Sequence, residues 1–120
     1  EIVGDKVYIA AKTGMVIVSL GRLGTAQFGT DGNGDGWADD VLSYTGTIGT
    51  ATDLALIENK IYVSDGDFNY GIAAFDISNP VTPYYLGKIR TPDAARDLII
   101  TGRYLFLAGG NSGLDIFYLY

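Results

Sequence analysis

Apolar residues along this chain come in short runs, broken every few positions by Gly, Asn or Asp. The main runs are 7–11, 15–20, 61–63, 72–75, 98–100, 105–108 and 116–119. A buried helix segment is the competing reading of any such run. Strands are favoured because the runs are brief, rich in β-branched and aromatic residues, and bounded by turn formers. No stretch repeats apolar residues at helical spacing over a helix's length. A half-buried strand would alternate apolar and polar residues, and these runs scarcely do. The pattern therefore predicts about ten short strands in sheets covered on both faces, with no helix and no linker.

The runs also repeat. Ala51-Thr52-Asp53-Leu54 returns as Ala95-Arg96-Asp97-Leu98, 44 residues later. At the same offset Ile61-Tyr62-Val63-Ser64 falls on Leu105-Phe106-Leu107-Ala108. Gly71-Ile72-Ala73-Ala74-Phe75 then matches Gly113-Leu114-Asp115-Ile116-Phe117, with the turn two residues shorter. Towards the N-terminus, Val7-Tyr8-Ile9-Ala10 matches 61–64, and Gly14-Met15-Val16-Ile17-Val18 matches 71–75. A period in the forties with several strands per unit is that of β-propeller blades. The fold class expected is all-β: four-stranded antiparallel blades, about two and a half of them. The single segment 1–120 divides into blade 1 at about 1–49, blade 2 at about 50–90 and an incomplete blade 3 at about 91–120. Blade 1 carries an insertion over 29–40, because Tyr8 and Tyr62 stand 54 residues apart instead of 44.

Asp76-Ile77-Ser78-Asn79-Pro80, followed by Val81-Thr82-Pro83, resembles the D-[IV]-S-N-P-x-x-P segment of LVIVD-repeat propellers. In that family the segment joins the third strand of a blade to the fourth. Residues 95–98 resemble the family's first strand, and 108–114 its turn into the third. Blade 1 departs from the pattern, with Ser19-Leu20-Gly21-Arg22-Leu23 where the D-I-S-N-P segment would stand. The resemblance implies a non-catalytic scaffold and names no ligand. The same residues are also good turn formers in their own right, since Asp, Ser and Asn bond their own backbone and Pro fixes φ.

Composition narrows the chemistry. Apolar residues make up 48% and charged residues 18%, which is globular and not disordered. The net charge of −6 disfavours nucleic acid and anionic membrane surfaces as partners, and no apolar run has the length of a membrane span. There is no Cys and no His. That excludes disulfides, thiolate metal sites and a Cys nucleophile, and removes the commonest general base. The chain opens on Glu1 and not Met, and is expected to be a processed product or an excised piece.

One stretch carries readable chemistry, and it is metal chemistry. In Asp31-Gly32-Asn33-Gly34-Asp35-Gly36-Trp37-Ala38-Asp39-Asp40, side-chain oxygens stand at positions one, three, five and nine of a loop that starts at Asp31. A hard cation such as Ca²⁺ takes six to eight oxygens, and alternate residues of a tight loop can point at one centre. The expected metal ligands are Asp31, Asn33, Asp35 and Asp39, with the carbonyl of Trp37; Asp40 faces away. The twelfth position is Leu42, not the bidentate Glu of an EF-hand. Locally the loop resembles the D-x-[DN]-x-D-G-x-x-D loops of FG-GAP propeller repeats of the integrin type. The plain alternative is a solvated Asx-rich turn.

Other features read as structural. Asp65-Gly66-Asp67 lacks further ligands and suits a hairpin turn. Asp53 and Asp97 recur at the blade period, which suggests that each bonds the backbone of the preceding connection. Nine tyrosines, among them Tyr84, Tyr85, Tyr118 and Tyr120, are expected to pack between blades or to form a stacking surface for glycans or proteins. The functional expectation is a non-catalytic, calcium-stabilised propeller segment of an extracellular or cell-surface protein, acting in scaffolding, adhesion or assembly. Its partners would be the remaining blades of a longer parent chain or further copies of itself. The alternatives are an accessory part of a secreted enzyme and a filament subunit completed by strand exchange.

Overall fold

The computed structural model describes residues 1–47, 49–66 and 71–120. Eleven strands and no helix are found among them: β1 (Ile2–Val3), β2 (Lys6–Ala11), β3 (Gly14–Ser19), β4 (Val41–Gly46), β5 (Ala51–Ile57), β6 (Lys60–Asp65), β7 (Gly71–Asp76), β8 (Tyr84–Ile89), β9 (Ala95–Thr101), β10 (Tyr104–Gly109) and β11 (Gly113–Tyr118). They form three antiparallel sheets, ordered β1-β2-β3-β4, β5-β6-β7-β8 and β9-β10-β11. Each strand pairs with its neighbour in sequence, as in a propeller blade. The fold is therefore the expected one. The first sheet has an inner strand of only two residues, and the third has no fourth strand among the described residues. The radius of gyration is 15.1 Å, above the roughly 14 Å of a compact domain of this length. Ile48, Asp67 and Tyr70, to which expected strand and turn boundaries extended, lie outside the described residues.

Equivalent backbone bonds recur in all three blades. Leu20 N–H donates to the Asp5 carbonyl at 2.6 Å, Ile77 N–H to Asn59 at 2.8 Å, and Leu119 N–H to Arg103 at 2.7 Å. Each ties the end of a third strand to the turn between the first two. Blade 1 makes this bond without a D-I-S-N-P segment, so the bond belongs to the fold and not to the motif. In blade 2 the motif adds an Asx turn. Asp76 Oδ1 accepts the Ser78 N–H at 2.8 Å, Asn79 Oδ1 accepts the Val81 N–H at 3.1 Å, and Asn59 Nδ2 donates to Ser78 Oγ at 2.7 Å.

Two cores lie between the sheets. Tyr8, Met15 and Ile17 of the first sheet pack on Ile61, Val63 and Phe75 of the second. Ala55, Tyr62 and Ile72, on the opposite face of the second sheet, pack on Leu98, Leu105 and Leu107 of the third. The middle sheet is thus covered on both faces, which explains its near-continuous apolar strands. Burying each such Leu, Ile or Phe side chain contributes about 1.5–3 kcal/mol.

The end sheets differ from the expectation of full cover. Ile9 of the first sheet, and Ile99, Leu114 and Ile116 of the third, are exposed. The tyrosines also differ: Tyr84, Tyr85, Tyr104, Tyr118 and Tyr120 are exposed, while Tyr8 and Tyr62 are buried between blades. Tyr84 and Tyr85 lie on β8, the outermost strand of its blade, where no neighbouring sheet covers them. Tyr85 rests on Phe75 with centroids 5.5 Å apart, and Tyr104, Tyr118 and Tyr120 make successive edge-to-face contacts at 5.3 Å.

Candidate functional site

The long connection between β3 and β4 holds the acidic glycine loop. Its ends are tied by backbone bonds, Ser19 N–H to the Asp40 carbonyl at 2.7 Å and Asp39 N–H to the Thr30 carbonyl at 2.8 Å. Inside the loop the acidic side chains gather amides. Asp31 Oδ1 accepts from Gly34 at 2.7 Å and from Asp35 at 3.2 Å, and Asp31 Oδ2 accepts from Gly36 at 2.9 Å. Asn33 Oδ1 accepts from Asp35 at 3.0 Å, Asp35 Oδ1 from Trp37 at 2.8 Å and Asp39 Oδ2 from Gly32 at 3.1 Å. The Gly36 amide, followed by those of Gly34 and Asp35, holds the Asp31 carboxyl below the usual carboxylate range.

This arrangement bears on a cation in two ways. The donor set is one of hard oxygens, and each carboxylate oxygen keeps acceptor capacity beyond its amide bonds. Yet among the described residues no three acidic side chains come together around one point. Asp31, Asn33, Asp35, Trp37 and Asp39 share one exposed loop, and each of the four oxygen-bearing side chains accepts at least one of the loop's own amides. The Trp37 ring stacks on Tyr44 of β4 at 6.0 Å, which fixes the loop against the outer strand.

Asp40 proves to be the anchor of the connection. It is 4% exposed. Its Oδ1 accepts from Arg22 Nε at 2.8 Å and its Oδ2 from the Gly29 N–H at 2.7 Å. Arg22, and then the Gly29 amide, hold its carboxyl below the ordinary value. The loop spacing set Asp40 apart from Asp39, but Arg22 and Gly29 were not legible as its partners, because they stand 18 and 11 residues away in an irregular connection. The adjoining apolar strand was the available sign, since an acid next to buried residues must find partners.

A second acidic site lies where the inner strands meet. β-Bulges interrupt the β5–β6 pairing between Ala51 and Asp53 and the β9–β10 pairing between Ala108 and Gly109. They leave Thr52 and Arg96 unpaired and re-aim the residues beside them. Thr52 Oγ1 donates to the Ala95 carbonyl at 2.9 Å, and Asp53 Oδ2 accepts the Leu98 N–H at 3.0 Å. Asp53 therefore bonds the following blade's inner strand, not the preceding connection. The reason is strand alternation: Asp53 shares the face of β5 that carries Ala55, and that face meets the third sheet. The neighbouring Asp53 carboxyl raises that of Asp97 above the usual range. Asp65, at the end of β6, is buried and accepts the Thr50 N–H at 2.9 Å, a structural bond.

Comparison with known proteins places these sheets. The LVIVD repeat family model matches residues 48–91 and 93–117. The chain belongs to the LVIVD repeat family. The match covers blades 2 and 3 and begins after the acidic loop, which stands outside it. Two solved structures share the architecture. The crystal structure of the computationally designed Ika4 protein superposes with a TM-score of 0.70 at 15% identity, covering 100% of this chain and 64% of the other. That of the designed Ika8 protein gives 0.67 at 14% identity, covering 99% and 32%. The LVIVD chain thus spans less than two thirds of either design, and at these identities the likeness shows the fold alone. No curated protein matches the chain.

Proposed function

We propose that this LVIVD-repeat segment is a non-catalytic scaffold of an extracellular or cell-surface protein, acting in adhesion or assembly and supported by calcium in the 31–40 loop. The observation that supports the reading is Asp31, which accepts three loop amides and so closes the loop that carries oxygen-bearing side chains at 31, 33, 35 and 39. A cation would replace mutual carboxylate repulsion with attraction. Extracellular calcium sites of this kind work at about 10⁻⁴–10⁻³ M, which suits a location outside the cell. The absence of His and Cys supports a role without nucleophile or general-base chemistry. Uncovered apolar faces at both end sheets support partners that are themselves blades, from a longer chain or from further copies.

The test is calorimetric titration of calcium into chelator-treated protein, beside Asp35→Ala. The wild type should bind, and its melting point should rise by the equivalent of about 2.7 kcal/mol at a hundredfold excess over the dissociation constant. The variant should lose most of the heat. No heat in the wild type, or equal heats in both proteins, would leave the loop an acidic turn.

A further inference from the structure

We propose that the cleft between the outer strands of the first two sheets binds a single sugar ring. This rests on the reading of the chain as an adhesion scaffold and names the ligand class. Both sheets that form the cleft are complete to their fourth strand. Among the described residues it is lined by Thr45 and Thr47 on one side, by Phe75, Tyr85 and Lys88 on the other, and by Asp65. Its volume is about 240 Å³. A cavity of about 150 Å³ takes benzene, so this one takes one six-membered ring with its substituents, and it is smaller than the roughly 300–1,000 Å³ of a drug-sized site.

One wall is polar. Ser43 and Thr45 of β4 pair with Ile17 and Met15, so their side chains share the face that meets the second sheet. Thr47, just past the strand, also borders the cleft. The hydroxyls of Ser43 and Thr47 are buried and have no hydrogen-bond partner among the described residues. Buried hydroxyls are rarely left so. Rotation about Cα–Cβ carries the Thr47 hydroxyl among three staggered positions, and a polar guest supplies the partner the protein lacks. The next blade junction has no such wall. Ile72, the repeat counterpart of Met15, pairs with Ile89, so an apolar residue stands in the place of Thr45 and packs on the second core.

The other wall is aromatic. Phe75 at its base and half-exposed Tyr85 have centroids 5.5 Å apart and ring planes inclined by 58°, which makes a corner. Aromatic faces are electron-rich and attract the polarised C–H face of a sugar. Asp65 accepts hydrogen bonds and Lys88 donates them, so hydroxyls acting in either sense are met. An ionic ligand of either sign would meet a like charge at one of these two residues, whereas neutral hydroxyls oppose neither.

Titration of the isotope-labelled chain with methyl glycosides of glucose, galactose, mannose and N-acetylglucosamine, followed by amide NMR shifts, reads the binding. At least one should bind with a Kd of about 1 mM or below and move the amides of 45–47 and 85–88. Tyr85→Ala should weaken that binding by about tenfold or more. Tyr85→Phe should retain it, because the ring and not its hydroxyl does the stacking. Thr47→Val should weaken binding yet leave the urea midpoint unchanged or raised, because the hydroxyl it removes has no partner in the free protein. A merely structural threonine would not separate these two readouts. The reducing sugars, run alongside, distinguish the sources: binding of the methyl glycosides marks the terminal residue of a glycan, and binding of the reducing sugars alone marks a free monosaccharide. No shift with any of these sugars, undiminished binding by Tyr85→Ala, or shifts with phenol and none with sugars would overturn the proposal. The titrations run in chelator, so failure of the acidic loop to bind calcium leaves them unaffected. A chain that binds calcium and no sugar keeps the scaffold reading and loses this one.

Discussion

Three glycines at equivalent positions, Gly14, Gly71 and Gly113, open the third strand of each blade, and substituting Ala at each tests the fold strand by strand. Gly71 has φ +77°, and a Cβ there would run into the Ile89 carbonyl oxygen, with Thr91 N at 3.1 Å and Arg90 Cα at 3.2 Å. These atoms are backbone of and beyond the fourth strand and cannot swing aside. The left-handed conformation costs an L-residue about 1–2 kcal/mol, and overpacking against fixed atoms adds about 1–3 kcal/mol. Gly71→Ala should therefore destabilise by roughly 2–5 kcal/mol. Gly113 has φ +84° and nothing within 4 Å, because the third sheet has no fourth strand among the described residues. Gly113→Ala should cost only the conformational part, about 1–2 kcal/mol. Gly14 has no left-handed strain, but its Cβ would meet the Thr45 carbonyl and Gly46 Cα at 2.9 Å. Gly14→Ala should cost about 1–3 kcal/mol through packing; the roughly 0.4–1 kcal/mol regained because Ala restricts the unfolded chain applies at all three positions and leaves their order unchanged. Urea unfolding monitored by tyrosine and tryptophan fluorescence gives all three values from midpoint shifts at constant m. The order Gly71 above Gly14 and Gly113 is the expected result. A cost at Gly113 equal to that at Gly71 would show a strand alongside β11 and refute the three-stranded sheet.

Phe75→Ala should destabilise by about 3–5 kcal/mol, since Phe75 is buried between the first two sheets; a loss under 1 kcal/mol in the same assay would show that the two sheets do not pack. Asp40→Ala should free the 21–40 connection, because it removes the acceptor of both Arg22 Nε and the Gly29 amide; limited proteolysis should then cut this segment ahead of the strands, and an unchanged digest would refute the anchor. Asp31 and Asp40 have folded values below 3.8, so their contribution should be complete above that pH and lost as pH falls through the depressed folded values; melting temperatures of Asp31→Asn and wild type should converge in acid. Asp97 has the opposite sign, because its folded value is raised: its contribution falls as pH rises from the ordinary value through the folded one. Carboxyl carbon NMR should show Asp97 titrating above the usual range and Asp53→Asn moving it back; no movement would exclude Asp53 as the cause.

Much of the architecture is local and was therefore readable. The 44-residue recurrence, the strand-length apolar runs and the Gly and Asx breaks determined the strand order, the antiparallel pairing and the blade count, because each blade is built from neighbours in sequence. The loop's oxygen pattern was legible in the same way, since Asp31 reaches only amides within five residues of itself. What joins one blade to the next was not legible. Asp53 meets Leu98 across 45 residues, and the choice between preceding and following partners depends on which sheet stands opposite the Ala55 face of β5. Arg22 finds Asp40 through the return of the β3–β4 connection, and Asp39 offers the same chemistry one position earlier. The tyrosines show the same limit: Tyr62 and Tyr85 are alike in type and in apolar context, yet one is buried and one exposed. The difference lies in strand position within the blade, inner against outermost. A repeat fixes each unit by short-range patterning, whereas burial is decided by which other unit stands opposite, and that is set only when the sheets pack.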